Sequence, residues 1–89
     1  MISETITISN KLGLHARASS KLVMLAGTFD ADIKISKDDK SANAKSIMGV
    51  MMLSASKGSS VTITVDGNDE VNALHAIVEL INNKFGETE

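Results

Sequence analysis

Val61, Ile63 and Val65 alternate with Thr62 and Thr64, while Ile2, Ile6 and Ile8 share one parity with Thr5 and Thr7 on the other. Period-two alternation of β-branched residues makes half-buried strands, apolar on one face and polar on the other. Such strands need a second layer to cover the apolar face. Ile33 and Ile35 predict a further strand, and Ala42 and Ala44 a short one after the polar turn Lys37-Asp38-Asp39-Lys40. The remaining segments are helical in character. Residues 16–27 lack strand alternation and end in Gly27. Residues 47–53 are apolar and follow Ser46, a suitable N-cap. Val71, Leu74, Val78, Ile81 and Phe85 recur at helical spacing, after a turn at Asp66-Gly67-Asn68 that can cap the helix and before Gly86, which can end it. The order β-α-β-β-α-β-α predicts an α+β fold, with helices on one face of a mostly antiparallel sheet whose other face meets water.

The first helix has an ambiguous phase, because residues 22–26 are all apolar. A helix pressed on a sheet buries one face. Either Leu22, Val23 and Ala26 or Leu22 and Leu25 point inward, leaving some of Met24 and Leu25 exposed. The short second helix holds Ile47, Met48, Met51 and Met52. Fewer than two turns cannot bury all four, so part of this set is expected to form a docking patch.

Size and composition narrow the function classes. The 89 residues are expected to form one domain, 1–89, with a thin core and no deep enclosed active site. Chemistry should therefore sit at the surface and be completed by a partner. Phe29 and Phe85 are the only aromatic residues, and the formal net charge is -2. Neither base stacking nor a phosphate-backbone footprint fits, so no nucleic-acid partner is expected. The chain has no Cys, hence no disulfide or thiolate metal site. Residues 1–4 lack the basic-then-apolar pattern of a signal peptide, and no apolar run reaches the roughly 18 residues of a membrane span. No membrane insertion is expected, and the cytoplasm is the default location.

Few residues can do chemistry. His15 and the single Arg, Arg17, lie together in Gly13-Leu14-His15-Ala16-Arg17-Ala18-Ser19 at a loop–helix junction. A helix start offers unpaired N–H groups and a partial positive charge. An anion at His15 would meet backbone donors and a guanidinium together. His75 lies within the last helix with Glu79 four residues on, and reads as a surface histidine. The two histidines lack further ligands at metal-binding spacing, so no metal is expected. Ser46 is either an ordinary N-cap or a modification site. A phosphate is tolerated at a helix N-terminus and would add charge beside the methionines.

Gly13-Leu14-His15-Ala16-Arg17 resembles the active-site motif of the HPr family, the histidine-containing phosphocarriers of the bacterial phosphotransferase system. Lys45-Ser46-Ile47-Met48-Gly49-Val50-Met51 resembles that family's regulatory-serine motif. The separation of the two motifs, the chain length and the segment order agree as well, so the resemblance spans essentially the whole chain.

The resemblance implies an open-faced β-sandwich, with a four-stranded antiparallel sheet in the order 1-4-2-3 and three helices on one face. It implies that His15 takes phosphate at Nδ1 from phosphorylated enzyme I, itself charged by phosphoenolpyruvate, and passes it to enzyme IIA proteins. Arg17 would stabilise the phosphoryl group. Ser20, Met24, Gly27, Ile47, Met48 and Met51 match the family's partner-docking surface, which favours Leu22, Val23 and Ala26 as the inward set. Ser46 would be the target of an HPr kinase/phosphorylase. Such a chain is a phosphoryl-transfer intermediate rather than a stand-alone catalyst, acting as a monomer without a cofactor, in sugar uptake or in a nitrogen-related regulatory branch. One position departs from the pattern. The family usually has Pro after the Arg, and Ala18 stands here. Pro fixes φ and lacks an N–H, so Ala18 leaves the first turn less constrained and adds a donor. A more mobile site and slower transfer are expected.

Two other readings compete. A regulatory binding module of the same fold would be switched at Ser46 without phosphoryl relay, although such relatives lose the histidine. A small enzyme such as an acylphosphatase would need an Arg in a phosphate-cradling loop and a positioned Asn, which Arg17 beside His15 fits poorly.

Overall fold

The alternating segments become the four strands of one sheet: β1 (Ile2–Thr7), β2 (Asp32–Lys37), β3 (Lys40–Asn43) and β4 (Ser60–Asp66). The computed structural model describes residues 1–89. The strand order is β1-β4-β2-β3, and every neighbouring pair is antiparallel. This is the arrangement the resemblance implies. Register places like faces together: Ile6 opposite Val61, Ile35 opposite Ile63 and Ile33 opposite Val65. All six are buried, and full burial of such a side chain stabilises by about 1.5–3 kcal/mol. The other face is polar. There the Thr5 and Thr62 hydroxyls share a 2.8 Å hydrogen bond across the β1–β4 pair.

Three helices cover the apolar face: α1 (Ala16–Ala26), α2 (Ile47–Met52) and α3 (Glu70–Asn82). In α1 the inward stripe is Ala18, Leu22 and Ala26, with Ser19 beside it. Leu22 and Ala26 face inward as expected. Val23 does not separate from Leu25, since both are half-buried, and Met24 is exposed. The stripe in α3 also differs from the sequence pattern. Ala73, Ile77 and Ile81 are buried, Leu74 and Val78 flank them half-buried, and Val71 is exposed. The buried face is centred on Ile77, with Ala73 and Ile81 four residues to either side, one residue away from the Leu74 and Val78 of the expected stripe.

Ser46 caps α2 as expected, its Oγ accepting from the Gly49 N–H at 3.3 Å. Ser46→Ala is expected to lower stability by about 1 kcal/mol. An unchanged urea midpoint would show that this bond contributes nothing. Asp66-Gly67-Asn68 turns the chain, but α3 is not capped from within that turn. Its N-cap is Asp69, which makes no cap bond. The Asp69 carboxylate instead accepts from the Asp30 and Ala31 N–H groups, each at 2.9 Å, and ties the α1–β2 connection to the start of α3. Those bonds hold its carboxyl below the usual range.

The helical spacing that runs on to Phe85 in the sequence is broken after α3. Lys84, Phe85 and Gly86 take successive left-handed conformations, with φ of 57°, 56° and 79°, in a single 3-10 turn at Lys84–Gly86. For a bulky residue that conformation costs about 1–3 kcal/mol. Complete burial of the Phe85 ring in the core offsets it. Lys21 of α1 donates to the Phe85 carbonyl at 2.7 Å.

Candidate functional site

The loop between β1 and α1 is built to hold His15. Asn10 is fully buried, and its Nδ2 donates to the Gly13 carbonyl at 2.8 Å. Gly13 has φ +64° and lies so close to Ala55 that a Cβ there would stand 2.4 Å from the Ala55 carbonyl oxygen. The next residue, Leu14, donates its N–H to that oxygen at 2.8 Å. Ser19 Oγ donates to the Leu14 carbonyl, and the Ser19 N–H donates to the His15 carbonyl to close the first turn of α1. His15 is thereby fixed as the N-cap of α1 in an extended conformation, with no side-chain cap bond. The N–H groups of Ala16, Arg17 and Ala18 open the helix without intrahelical carbonyl partners. Ala18 takes the place of the usual Pro with its side chain fully buried, and the helix begins at Ala16 all the same.

The His15 ring is held from one side. Nε2 lies 2.6 Å from Glu87 Oε2. Glu87 Oε1 accepts from Asn10 Nδ2 at 3.0 Å. The Asn10 amide, then the His15 ring and the Arg17 charge, hold the Glu87 carboxyl below its usual range against the opposing effect of burial. Glu87 is thus ionised at neutral pH and can only accept, so Nε2 carries the hydrogen. Nδ1 makes no hydrogen bond, and in the neutral ring it is the nitrogen that holds the lone pair. Arg17, two residues on, is exposed and has no ion-pair partner. A ring nitrogen without a hydrogen bond, helix-start donors and the unpaired Arg17 therefore lie together at the start of α1.

Sequence reasoning missed Glu87 and Asn10. The His15–Glu87 contact spans 72 residues and depends on the left-handed turn at residues 84–86. Asn10 lies in the segment that breaks the first strand pattern, and nothing in its spacing marks it.

The other expected site residues fall on the outer side of α1 and α2, which pack against each other. Arg17, Ser20, Met24 and Gly27 follow i, i+3, i+7, i+10 spacing on one face of α1. Ser20 is half-buried, and Met24 is 74% exposed. On α2, Ile47, Met48 and Met51 are exposed, and so is Met52, at 38%, 68%, 39% and 71%. The Ser46 side of this helix is open to solvent. His75 stands apart on α3, with Nδ1 3.9 Å from Glu79 and both side chains exposed. No helix is long and apolar enough to cross a membrane.

Comparison with known proteins shows the family and the fold. The family described as "PTS HPr component phosphorylation site" matches residues 2–83. A phosphocarrier protein HPr of Cupriavidus necator is 55% identical over 89 residues, covering 100% of both chains. A phosphocarrier protein NPr of Shewanella violacea is 45% identical over 86 residues, covering 97% of this chain and 94% of that protein. The crystal structure of HPr-C-His from Thermoanaerobacter tengcongensis superposes with a TM-score of 0.96 at 47% identity, covering 100% of both chains. A match over nearly the whole length, on the fold and motifs described above, places this chain in the HPr phosphocarrier family of the phosphotransferase system.

Proposed function

We propose that His15 is the relay point of a phosphocarrier. Nδ1 accepts a phosphoryl group from phosphorylated enzyme I and hands it to a histidine of an enzyme IIA protein, in sugar uptake or in a nitrogen-related regulatory branch. The observation that carries this reading is the state of the His15 ring: Nε2 is engaged by Glu87 at 2.6 Å, while Nδ1 is unbonded at the start of α1. Phosphoryl transfer is mainly positioning and charge stabilisation. A surface nitrogen with helix-start donors and the free Arg17 guanidinium is chemically sufficient once a partner closes over it.

The partner surface in this reading is the outer face of α1 with the methionines of α2. Ser46 sits at the edge of that surface. A phosphate there adds about -1.5 to -2 charges beside Ile47 and Met48 and weakens docking, which is the role we assign to a kinase acting on Ser46. The protein works as a cytoplasmic, single-domain monomer.

Incubation with enzyme I and labelled phosphoenolpyruvate tests the relay. One acid-labile phosphate per chain is expected, and none in His15→Ala. Arg17→Ala is expected to take label at a rate lowered on the order of 100-fold, as for loss of one preorganised charge-stabilising group. Label that survives His15→Ala would overturn the assignment.

A further inference from the structure

We propose that Glu87 is a positioning residue, which fixes His15 in its Nε2–H form and offsets the ring charge that appears when Nδ1 takes the phosphoryl group. The proposal rests on the phosphocarrier reading, and it adds a residue that neither motif contains.

The contact is built rather than incidental. Glu87 sits near the end of the chain, yet its side chain is only 16% exposed. One carboxylate oxygen is held by Asn10, itself fully buried, and the other meets His15. Asn10 also grips the Gly13 carbonyl, so one amide group spans the His15 loop and the C-terminal segment. The backbone on either side is anchored as well. The Glu87 N–H donates to the Lys84 carbonyl, the Lys11 N–H to the Glu89 carbonyl, and Phe85 is buried in the core. The chain carries its own control in His75 and Glu79, which sit 3.9 Å apart and mostly exposed, with neither group held in place by a third residue.

The chemistry follows from which nitrogen holds the proton. A ring protonated at Nε2 keeps its lone pair on Nδ1, the nitrogen with no hydrogen bond. In the transfer, that lone pair forms the Nδ1–P bond as the donor's N–P bond breaks, and the donor nitrogen keeps the electron pair. The proton stays on Nε2, so the product ring is an imidazolium. The Glu87 carboxylate lies against the N–H where that charge is best met. In the onward step the Nδ1–P electron pair returns to Nδ1, and the ring is neutral again with its proton where it began. Neither step needs a proton to move. The charged groups about the ring are Glu87 and Arg17, one placed toward ring charge and the other free for the phosphoryl oxygens.

Two variants test the two roles. Glu87→Ala removes the acceptor at Nε2. Glu87→Gln removes the charge and leaves one acceptor oxygen where two donors, Asn10 Nδ2 and the ring, need one each. Nitrogen-15 NMR on the full, unphosphorylated chain reads the tautomer of each histidine, and unchanged backbone amide signals of the buried strand residues Ile33, Ile63 and Val65 verify that a variant is folded. In the wild type, His15 is expected to be almost wholly Nε2–H. In Glu87→Ala it is expected to shift toward the tautomer mixture of His75, and in Glu87→Gln, whose single oxygen is taken by Asn10 Nδ2 so that its NH2 faces the ring, toward the Nδ1–H form. Labelling from enzyme I is expected to slow about tenfold in both, the size typical of an outer hydrogen bond to a working imidazole. A His15 tautomer unmoved in Glu87→Ala overturns the positioning role, and a Glu87→Gln rate equal to wild type overturns the charge role. The NMR measurement needs no phosphoryl donor, so its failure is distinct from a wild-type chain that takes no label, which would overturn the carrier reading itself.

Discussion

Gly13→Ala is expected to destabilise the protein by about 2–5 kcal/mol. Two costs add. A left-handed alanine costs about 1–2 kcal/mol relative to glycine at φ +64°. The added Cβ would also stand 2.4 Å from the Ala55 carbonyl oxygen and 2.7 Å from Ser56 Cα. Both atoms are backbone, so no side chain can rotate away, and overpacking of this kind costs about 1–3 kcal/mol. The loop cannot simply back off, because the Leu14 N–H is bonded to that same Ala55 oxygen at 2.8 Å. With an m-value of about 1 kcal/mol/M for a protein this small, the urea midpoint should fall by roughly 2–5 M. Gly58→Ala isolates the backbone contribution. Gly58 has φ +92° but nothing within 4 Å of its added Cβ, so it should lose only the smaller cost. Equal midpoint shifts for the two variants would refute the packing argument at Gly13. The folded fraction of Gly13→Ala should also lose the Nε2–H preference of His15, since moving Gly13 pulls its carbonyl off Asn10 and loosens the amide that holds Glu87.

How far sequence reading reached follows from the range of the interactions involved. Val61, Ile63 and Val65 could be placed inward at once, because a period of two is a local property and only one face of this sheet is covered. The Ser46 cap is just as local, since hydroxyl and recipient lie three residues apart. The inward face of α3 was only approximately legible. Apolar residues sit on two adjacent faces, Val71, Leu74 and Val78 on one and Ala73, Ile77 and Ile81 on the other, and only packing against the sheet decides that the second is the buried one. His15 and Arg17 stood out through a motif of five residues. Glu87 and Asn10 did not, because their part in the site exists only after the chain ends have met, and the meeting depends on backbone angles at Lys84 and Phe85 that non-glycine residues seldom adopt.

The shape of the site suits a carrier. A relay must release what it binds, and His15 is framed on its inner side only, through Nε2. Its outer side faces solvent with the unpaired Arg17. Met24, Met48 and Met52, all at least 68% exposed, give the neighbouring surface flexible apolar side chains. Such side chains repack against differently shaped partners, which suits the proposed relay between a donor and an acceptor.

Phe85→Ala is expected to have the largest effect on stability, about 3–5 kcal/mol for truncating a fully buried aromatic ring. For a domain of this size that corresponds to a Tm lower by roughly 15–30 °C. The ring is the largest side chain in an otherwise aliphatic core, so few neighbours can move in to fill the space it leaves. Truncation also removes the burial that offsets the left-handed angles at Lys84 and Phe85 while leaving those angles no easier for alanine. The turn should then relax toward ordinary helical or extended backbone, carrying the Phe85 carbonyl off Lys21 and Glu87 off His15. Phe85→Leu keeps an apolar anchor and should cost less, with Glu87 still in place. The two readouts, Tm and the His15 tautomer, should therefore fall together in Phe85→Ala and stay close to wild type in Phe85→Leu. A Phe85→Ala protein that melts early but keeps His15 fully in the Nε2–H form would show that Asn10 alone holds Glu87, with the buried ring serving stability and nothing at the site.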